Sequence, residues 1–117
     1  MINLIILIAG IRMLFNSNIK LISSKKAKEM IKNNLIKNII DVRTKKEWDK
    51  GHYPNAIHIP IEPIDKLTQE NLKIFSKKDP VLIYCRSGRR AKNAAIKLKK
   101  YGFKKIYYIN KTYESLL

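Results

Sequence analysis

The sequence has one cysteine, Cys85, with four glycines, four prolines and nine acidic residues among its 117 positions. A single cysteine excludes an intramolecular disulfide and a cysteine-based zinc site. So little glycine and proline excludes a collagen-like or linker-like chain. With 45% hydrophobic residues the chain is not wholesale disordered. Its length fits one domain with a real core and leaves no room for two. The shortage of acid leaves 25 basic residues largely unopposed, for a net charge of +16.

That charge suits a nucleic-acid binder, so its distribution matters. The chain holds 20 Ile, 20 Lys and 10 Asn against 5 Arg, 2 Val and 6 Ala, a bias that AT-rich coding would produce. The lysines are dispersed, at 25, 26, 28, 32, 37, 45, 46, 50 and onward. A nucleic-acid footprint gathers basic residues on one face, with aromatics interleaved for stacking. Dispersed lysines read instead as solvated surface, with a general pull on anions.

Residues 1–16 form a hydrophobic N-terminal segment. Ile2–Ile11 is nearly all apolar, and Arg12 precedes Met13-Leu14-Phe15. The run falls short of the roughly 20 residues needed to cross a bilayer. It has the length of a signal-peptide core, but no basic residue precedes it and no A-x-A-like site follows. The segment reads as a weak signal or anchor, or as an overrun ahead of a true start at Met13. The expected location is cytoplasmic, the alternative being tethering or export through residues 2–15.

Residues 17–117 then alternate short strands with helices, the pattern of an α/β domain whose central sheet is mostly parallel and flanked by helices. Ile19–Ile22 reads as a strand. Ser23 or Ser24 caps a helix with apolar Ala27, Met30 and Ile31, ended by Asn33-Asn34. Asn38–Val42 is a continuous apolar run, hence a central strand. Thr44-x-x-Glu47 is a capping box before a short helix through Trp48, stopped by Gly51. Ala56–Pro60 alternates as a strand. Pro63–Leu67 and Thr68–Phe75 read as one or two short helices, with Asp65 or Thr68 as caps. Pro80–Tyr84 is the clearest strand. A helix follows with Ala91, Ala94, Ala95 and Leu98 on its inner face, Gly102 as its stop, and Lys105–Ile109 as a last strand.

The chemistry lies where the strand ending at Tyr84 enters that helix, through Cys85-Arg86-Ser87-Gly88-Arg89-Arg90. Such a loop aims backbone N–H groups and a helix dipole at one spot, and in open α/β sheets ligands collect at the carboxyl ends of strands. Gly88 permits the tight turn. A cysteine can also simply end a buried strand. Three arginines within five residues do not suit a packed core, so the thiol reads as an ionisable nucleophile in an anion-binding cradle.

Two stretches of the chain resemble the rhodanese family of single-domain, thiosulfate sulfurtransferase-like modules. One is Asp41-Val42-Arg43, Glu47-Trp48 and Gly51-His52-Tyr53-Pro54-Asn55-Ala56 through Pro60, similar to the family's DVR…E-aromatic…GH-x-P-x-A segment. The other is Val81–Arg90, similar to its active-site loop. The resemblance implies a rhodanese-like fold and a mechanism. Cys85 takes a sulfane sulfur from thiosulfate or a similar anionic donor as a persulfide, then passes it to a thiol, cyanide or protein acceptor. Arg86, Ser87, Gly88, Arg89 and Arg90 form the substrate-binding loop. Their backbone N–H groups stabilise the sulfur anion, while Arg90 and Arg86 attract the donor. The resemblance calls for no metal and no organic cofactor. A rhodanese-fold carrier or docking module that holds a persulfide without turnover is the alternative. Phosphatases and arsenate reductases of the same fold have a loop one residue longer. Here Arg90 is five positions after Cys85, which suits a persulfide better than a tetrahedral phosphate.

Asp41, Arg43, Glu47 and His52 are expected to shape the site. Asp41 and Arg43 pair to fix adjacent loops, Glu47 serves the capping box, and Gly51-His52 forms the turn. Neither His52 nor His58 is expected to act as a base. The chain departs from many relatives after its last strand, where Lys111 and Thr112 replace a Gly-Gly pair and Leu116 an aromatic. That segment borders the family's pocket, so substrate access and acceptor choice are the properties expected to differ.

Overall fold

A computed structural model describes residues 19–117; the expectations for residues 1–16 lie outside the described residues. Five strands, β1 (Ile19–Leu21), β2 (Asn38–Asp41), β3 (Ile57–His58), β4 (Val81–Tyr84) and β5 (Ile106–Tyr108), form one sheet in the order β1-β5-β4-β2-β3. Every neighbouring pair is parallel. Among the described residues three helices, α1 (Ser24–Lys32), α2 (Lys45–Asp49) and α3 (Arg89–Lys100), flank it, and a 3-10 turn, Tyr113–Leu116, follows the last strand.

The apolar strands cover both faces, as buried parallel strands must. Successive side chains point to opposite sides, so β2 and β4 each feed two cores. Ile40, Val81 and Ile83 pack with Ala91, Ala94, Ala95 and Leu98 of α3 and with Leu67, Leu72 and Phe75. Ile39, Leu82 and Tyr84 pack with Ala27 and Met30 of α1 and with Leu116. Ser23, rather than Ser24, caps α1, accepting from the Lys26 N–H at 3.0 Å. Gly102 has the positive φ of 95° expected of a helix stop.

The stretch 63–75 forms turns where one or two helices were expected. Most backbone bonds there span three residues, and Leu72 N–H to Thr68 carbonyl, at 3.0 Å, is the sole four-residue bond recorded in it. Asp65 accepts from Leu67 N–H at 2.8 Å, a tight Asx turn, and Thr68 Oγ1 accepts from Asn71 N–H at 3.2 Å. The physical reason is spacing: Leu67, Leu72 and Phe75 are buried while Ile64 and Ile74 are exposed, so no continuous helical stripe faces the core. β3 is also shorter than the expected Ala56–Pro60 run.

Candidate active site

β4 ends at Tyr84, and Cys85 begins the turn into α3 at the carboxyl edge of the sheet. Gly88 takes φ 102°, a left-handed conformation, and is the N-cap of α3 without any side-chain cap. The thiol fills that role. Cys85 Sγ accepts from the Gly88 N–H at 3.1 Å and from the Ala91 N–H at 3.4 Å. Ala91 is the third helical residue, where a cap acceptor normally binds. The sulfur therefore sits at the positive end of α3, with two N–H dipoles aimed at it. Of the N–H groups expected from residues 86–90, Gly88 alone is bonded to Sγ, and the second donor comes from one residue beyond.

Glycine is required at position 88 for a second reason. A Cβ there would lie 2.7 Å from Asn110 Cβ and 2.9 Å from Asn110 Cα, in the segment leaving β5. The loop is thus pressed against the chain that follows the last strand.

Arg90 does not project freely into the site. Its Nη1 and Nη2 donate to Glu47 Oε1 and Oε2 at 2.7 and 3.0 Å. Glu47 also completes the capping box: its Oε1 accepts from Thr44 N–H at 3.1 Å, while Thr44 Oγ1 accepts from Glu47 N–H at 3.2 Å. The Arg90 hydrogen bonds, helped by Thr44 and opposed by partial burial, hold the Glu47 carboxyl down to about 2. Glu47 in turn raises the Arg90 guanidinium above its ordinary value.

A second network lies under the loop. Asp41, fully buried, accepts from Arg43 Nε and Nη2, with the Nη2 bond at 2.7 Å, and from the Tyr84 hydroxyl at 2.6 Å. Arg43 Nη2 also donates to the Gly51 carbonyl at 2.7 Å, and Tyr53 N–H donates to the Tyr84 hydroxyl at 3.0 Å. Burial, then the Asp41 carboxylate, pushes the Tyr84 phenol up. The Asp41–Arg43 pair thus joins β2, the Gly51 turn and the residue just before Cys85.

A pocket of about 480 Å³ opens over the thiol, lined by Arg43, Glu47, Lys50, Gly51, Cys85, Arg86, Thr112, Tyr113 and Glu114. Cys85 itself is only 1% exposed, so a reactant must come down through this opening. A larger groove of about 680 Å³ runs along α1 and shares no lining residue with it. Among the described residues no cluster of His, Cys, Asp and Glu is arranged to hold a metal ion, and no helix is long and apolar enough to cross a membrane.

The structure therefore brings Cys85, Arg86, Glu47 and Arg43 around one pocket. Ser87 and Arg89 are exposed and do not line it. His52 stacks on Trp48 with ring centroids 3.4 Å apart, and its Nδ1 donates to the Tyr53 carbonyl at 3.0 Å. His58 stacks on the same indole at 4.6 Å and donates from Nε2 to the Arg43 carbonyl at 2.7 Å. Lys50 is a pocket residue without a sequence signal of its own, whereas Tyr113 and Glu114 belong to the segment after β5 that the resemblance placed at the pocket's border without singling them out. The 3-10 turn carries the last two to the rim, and the sequence signal was only the departure at Lys111-Thr112.

The sequence profile of the rhodanese-like domain matches residues 23–116. The chain is 38% identical over 90 residues to YrkF of Bacillus subtilis, named a candidate sulfur carrier protein, covering 77% of this chain and 46% of that one. It thus spans about half the length of that relative. It is 32% identical over 88 residues to the thiosulfate sulfurtransferase GlpE of Coxiella burnetii, covering 75% of this chain and 78% of that one. The crystal structure of a rhodanese-like domain protein from Staphylococcus aureus superposes with a TM-score of 0.69 at 26% identity, covering 84% and 91% of the two chains.

Proposed function

The chain belongs to the rhodanese family, and we propose that it moves sulfane sulfur through a persulfide on Cys85. Its relatives support a role in sulfur transfer or sulfur carriage, with a donor and an acceptor. The finer reading is a sulfurtransferase that takes sulfur from thiosulfate or a similar anion. The observation that carries it is the position of Cys85 Sγ, at the floor of a pocket and held by the Gly88 and Ala91 N–H groups.

In this reading the Cys85 thiolate attacks the outer sulfur of thiosulfate. A new S–S bond forms, the old one breaks, and its electron pair leaves with sulfite. Negative charge passes from Sγ to the terminal sulfur of the persulfide, within reach of the helix-end dipole that first stabilised the thiolate. Arg86 at the rim draws the anion in. Arg90, committed to Glu47, acts through its field and by fixing the loop. The acceptor then removes the sulfur and restores the thiolate.

The likeness to YrkF favours a second reading, a carrier that keeps its sulfur for a partner. Incubation with thiosulfate followed by mass measurement should add about 32 Da, one sulfur atom, to the wild type and nothing to Cys85→Ser. No gain in the wild type, or an equal gain in the variant, removes both readings. Steady thiocyanate production with cyanide supports the transferase; a stable persulfide with negligible thiocyanate supports the carrier.

A further inference from the structure

The pocket over Cys85 contains charges of two kinds. Glu47 is occupied by Arg90 and Thr44, and Arg43 by Asp41 and Gly51. Lys50, Arg86 and Glu114 also line the pocket, all three are exposed, and among the described residues none has a side-chain hydrogen bond or ion pair. A molecule whose sulfur reaches Cys85 therefore meets two unpaired cations and one unpaired carboxylate.

The carboxylate is on a fixed support. Tyr113 before it lies against Gly51, with the Arg43 guanidinium 5.0 Å from its ring centroid. Ser115 after it has Oγ 2.7 Å from Ser24 Oγ and donates to the Thr112 carbonyl at 2.7 Å, and Leu116 is buried. With anchors on both sides, the backbone at Glu114 is held at the rim before any ligand arrives, which leaves only the side chain's own rotation to be ordered on binding.

We propose that Glu114 selects the sulfur acceptor, favouring small amino-acid or peptide thiols that carry an ammonium group as well as a carboxylate. The proposal rests on the Cys85 persulfide reading above. Such a thiol sets its carboxylate against Lys50 and Arg86 and its ammonium against Glu114, and a pocket of about 480 Å³ is of ordinary size for a small ligand. The acceptor thiol gives its proton to solvent, and its thiolate attacks the outer sulfur of the Cys85 persulfide. The new S–S bond forms as the old one breaks. The breaking pair returns to Cys85 Sγ, and the acceptor leaves as its own persulfide with no net oxidation.

The test compares L-cysteine with N-acetyl-L-cysteine, which keeps the thiol and carboxylate but lacks the ammonium. Cys85 is loaded with thiosulfate, or with inorganic polysulfide, and loss of the added sulfur is followed by mass measurement. The two thiols differ in intrinsic reactivity, so the quantity read is the ratio of their rates, compared between proteins. Glu114→Gln should lower the cysteine to N-acetylcysteine ratio about 2- to 5-fold, the worth of an exposed ion pair. Glu114→Lys should lower it further, and Glu114→Asp should keep most of it. Ratios unchanged in Gln and Lys variants overturn the assignment. Failure to load wild-type Cys85 from either donor is a separate result and overturns the persulfide reading itself.

Discussion

Arg90 and Glu47 lie 43 residues apart and meet in a two-pronged ion pair at 2.7 and 3.0 Å. One partner is in the first turn of α3, beside the thiol; the other is the capping-box acid of α2. The pair therefore sets the position of the Cys85 loop against the opposite wall of its pocket.

Breaking this pair should reveal its titration. Glu47 is held at about 2 against an ordinary value of 4.5. A depressed acid contributes stability that is full above the unfolded value and is lost as pH falls through the folded one. Glu47→Gln should cost about 1–3 kcal/mol near neutrality, as for a charge-assisted hydrogen bond. The gap between variant and wild type should close as pH falls from about 4.5 toward 2. Chemical denaturation at several pH values measures it; a gap that stays constant across that window contradicts the assignment.

Gly88→Ala should damage both stability and chemistry. The left-handed φ costs an alanine about 1–2 kcal/mol, and its Cβ meets the Asn110 Cα and Cβ at under 3 Å. Relief must move the loop or the Asn110 backbone, and the Gly88 N–H to Sγ bond moves with it. The expected result is a lower melting temperature together with slower alkylation of Cys85 by iodoacetamide. Unchanged alkylation would show that this N–H does not activate the thiol.

Asp41→Asn should be the most destabilising single change near the site. Removing one partner of a buried pair strands the other charge, at a cost of about 3–5 kcal/mol. Asp41 is fully buried and Arg43 is 7% exposed, so water cannot readily replace the carboxylate. The double variant Asp41→Asn/Arg43→Met should be less destabilised than the sum of the two singles, as expected of contacting residues. Strict additivity in denaturation midpoints would mean the pair does not act as a unit.

Much of this was legible from local signals. Val81–Tyr84, the capping box at Thr44 and Glu47, and the alanine face of α3 each carry a period or cap readable within a dozen residues. So does the arginine-rich turn at Cys85. The stretch 63–75 misled because a few apolar residues resemble a helical face until the fold decides which of them are buried. The Arg90–Glu47 pair and the seat of Tyr113 against Gly51 join residues far apart in the chain. No pattern within either segment names the other, and only the parallel sheet order brings them together. The two expected loop fixtures, Asp41 and Arg43, could be guessed as a pair, but the third member, Tyr84, was hidden in a strand run that reads as purely apolar.

The net charge of +16 predicts how capture of an anionic donor responds to salt. Dispersed lysines create a diffuse field that added salt screens, whereas the Gly88 and Ala91 N–H dipoles act on the sulfur at contact distance, where salt has little effect. The rate of Cys85 sulfuration at low thiosulfate should therefore fall several-fold as ionic strength rises from about 20 mM to about 300 mM, while the rate at saturating donor stays nearly constant. Arg86→Gln, which removes one of the two exposed cations lining the pocket, the one next to Cys85 in the chain, should lower the low-salt rate and flatten its salt dependence. A substitution such as Lys32→Gln, on α1 and outside this pocket, should do much less. Equal effects from the two substitutions would place donor capture in the overall field of the molecule and not in the loop.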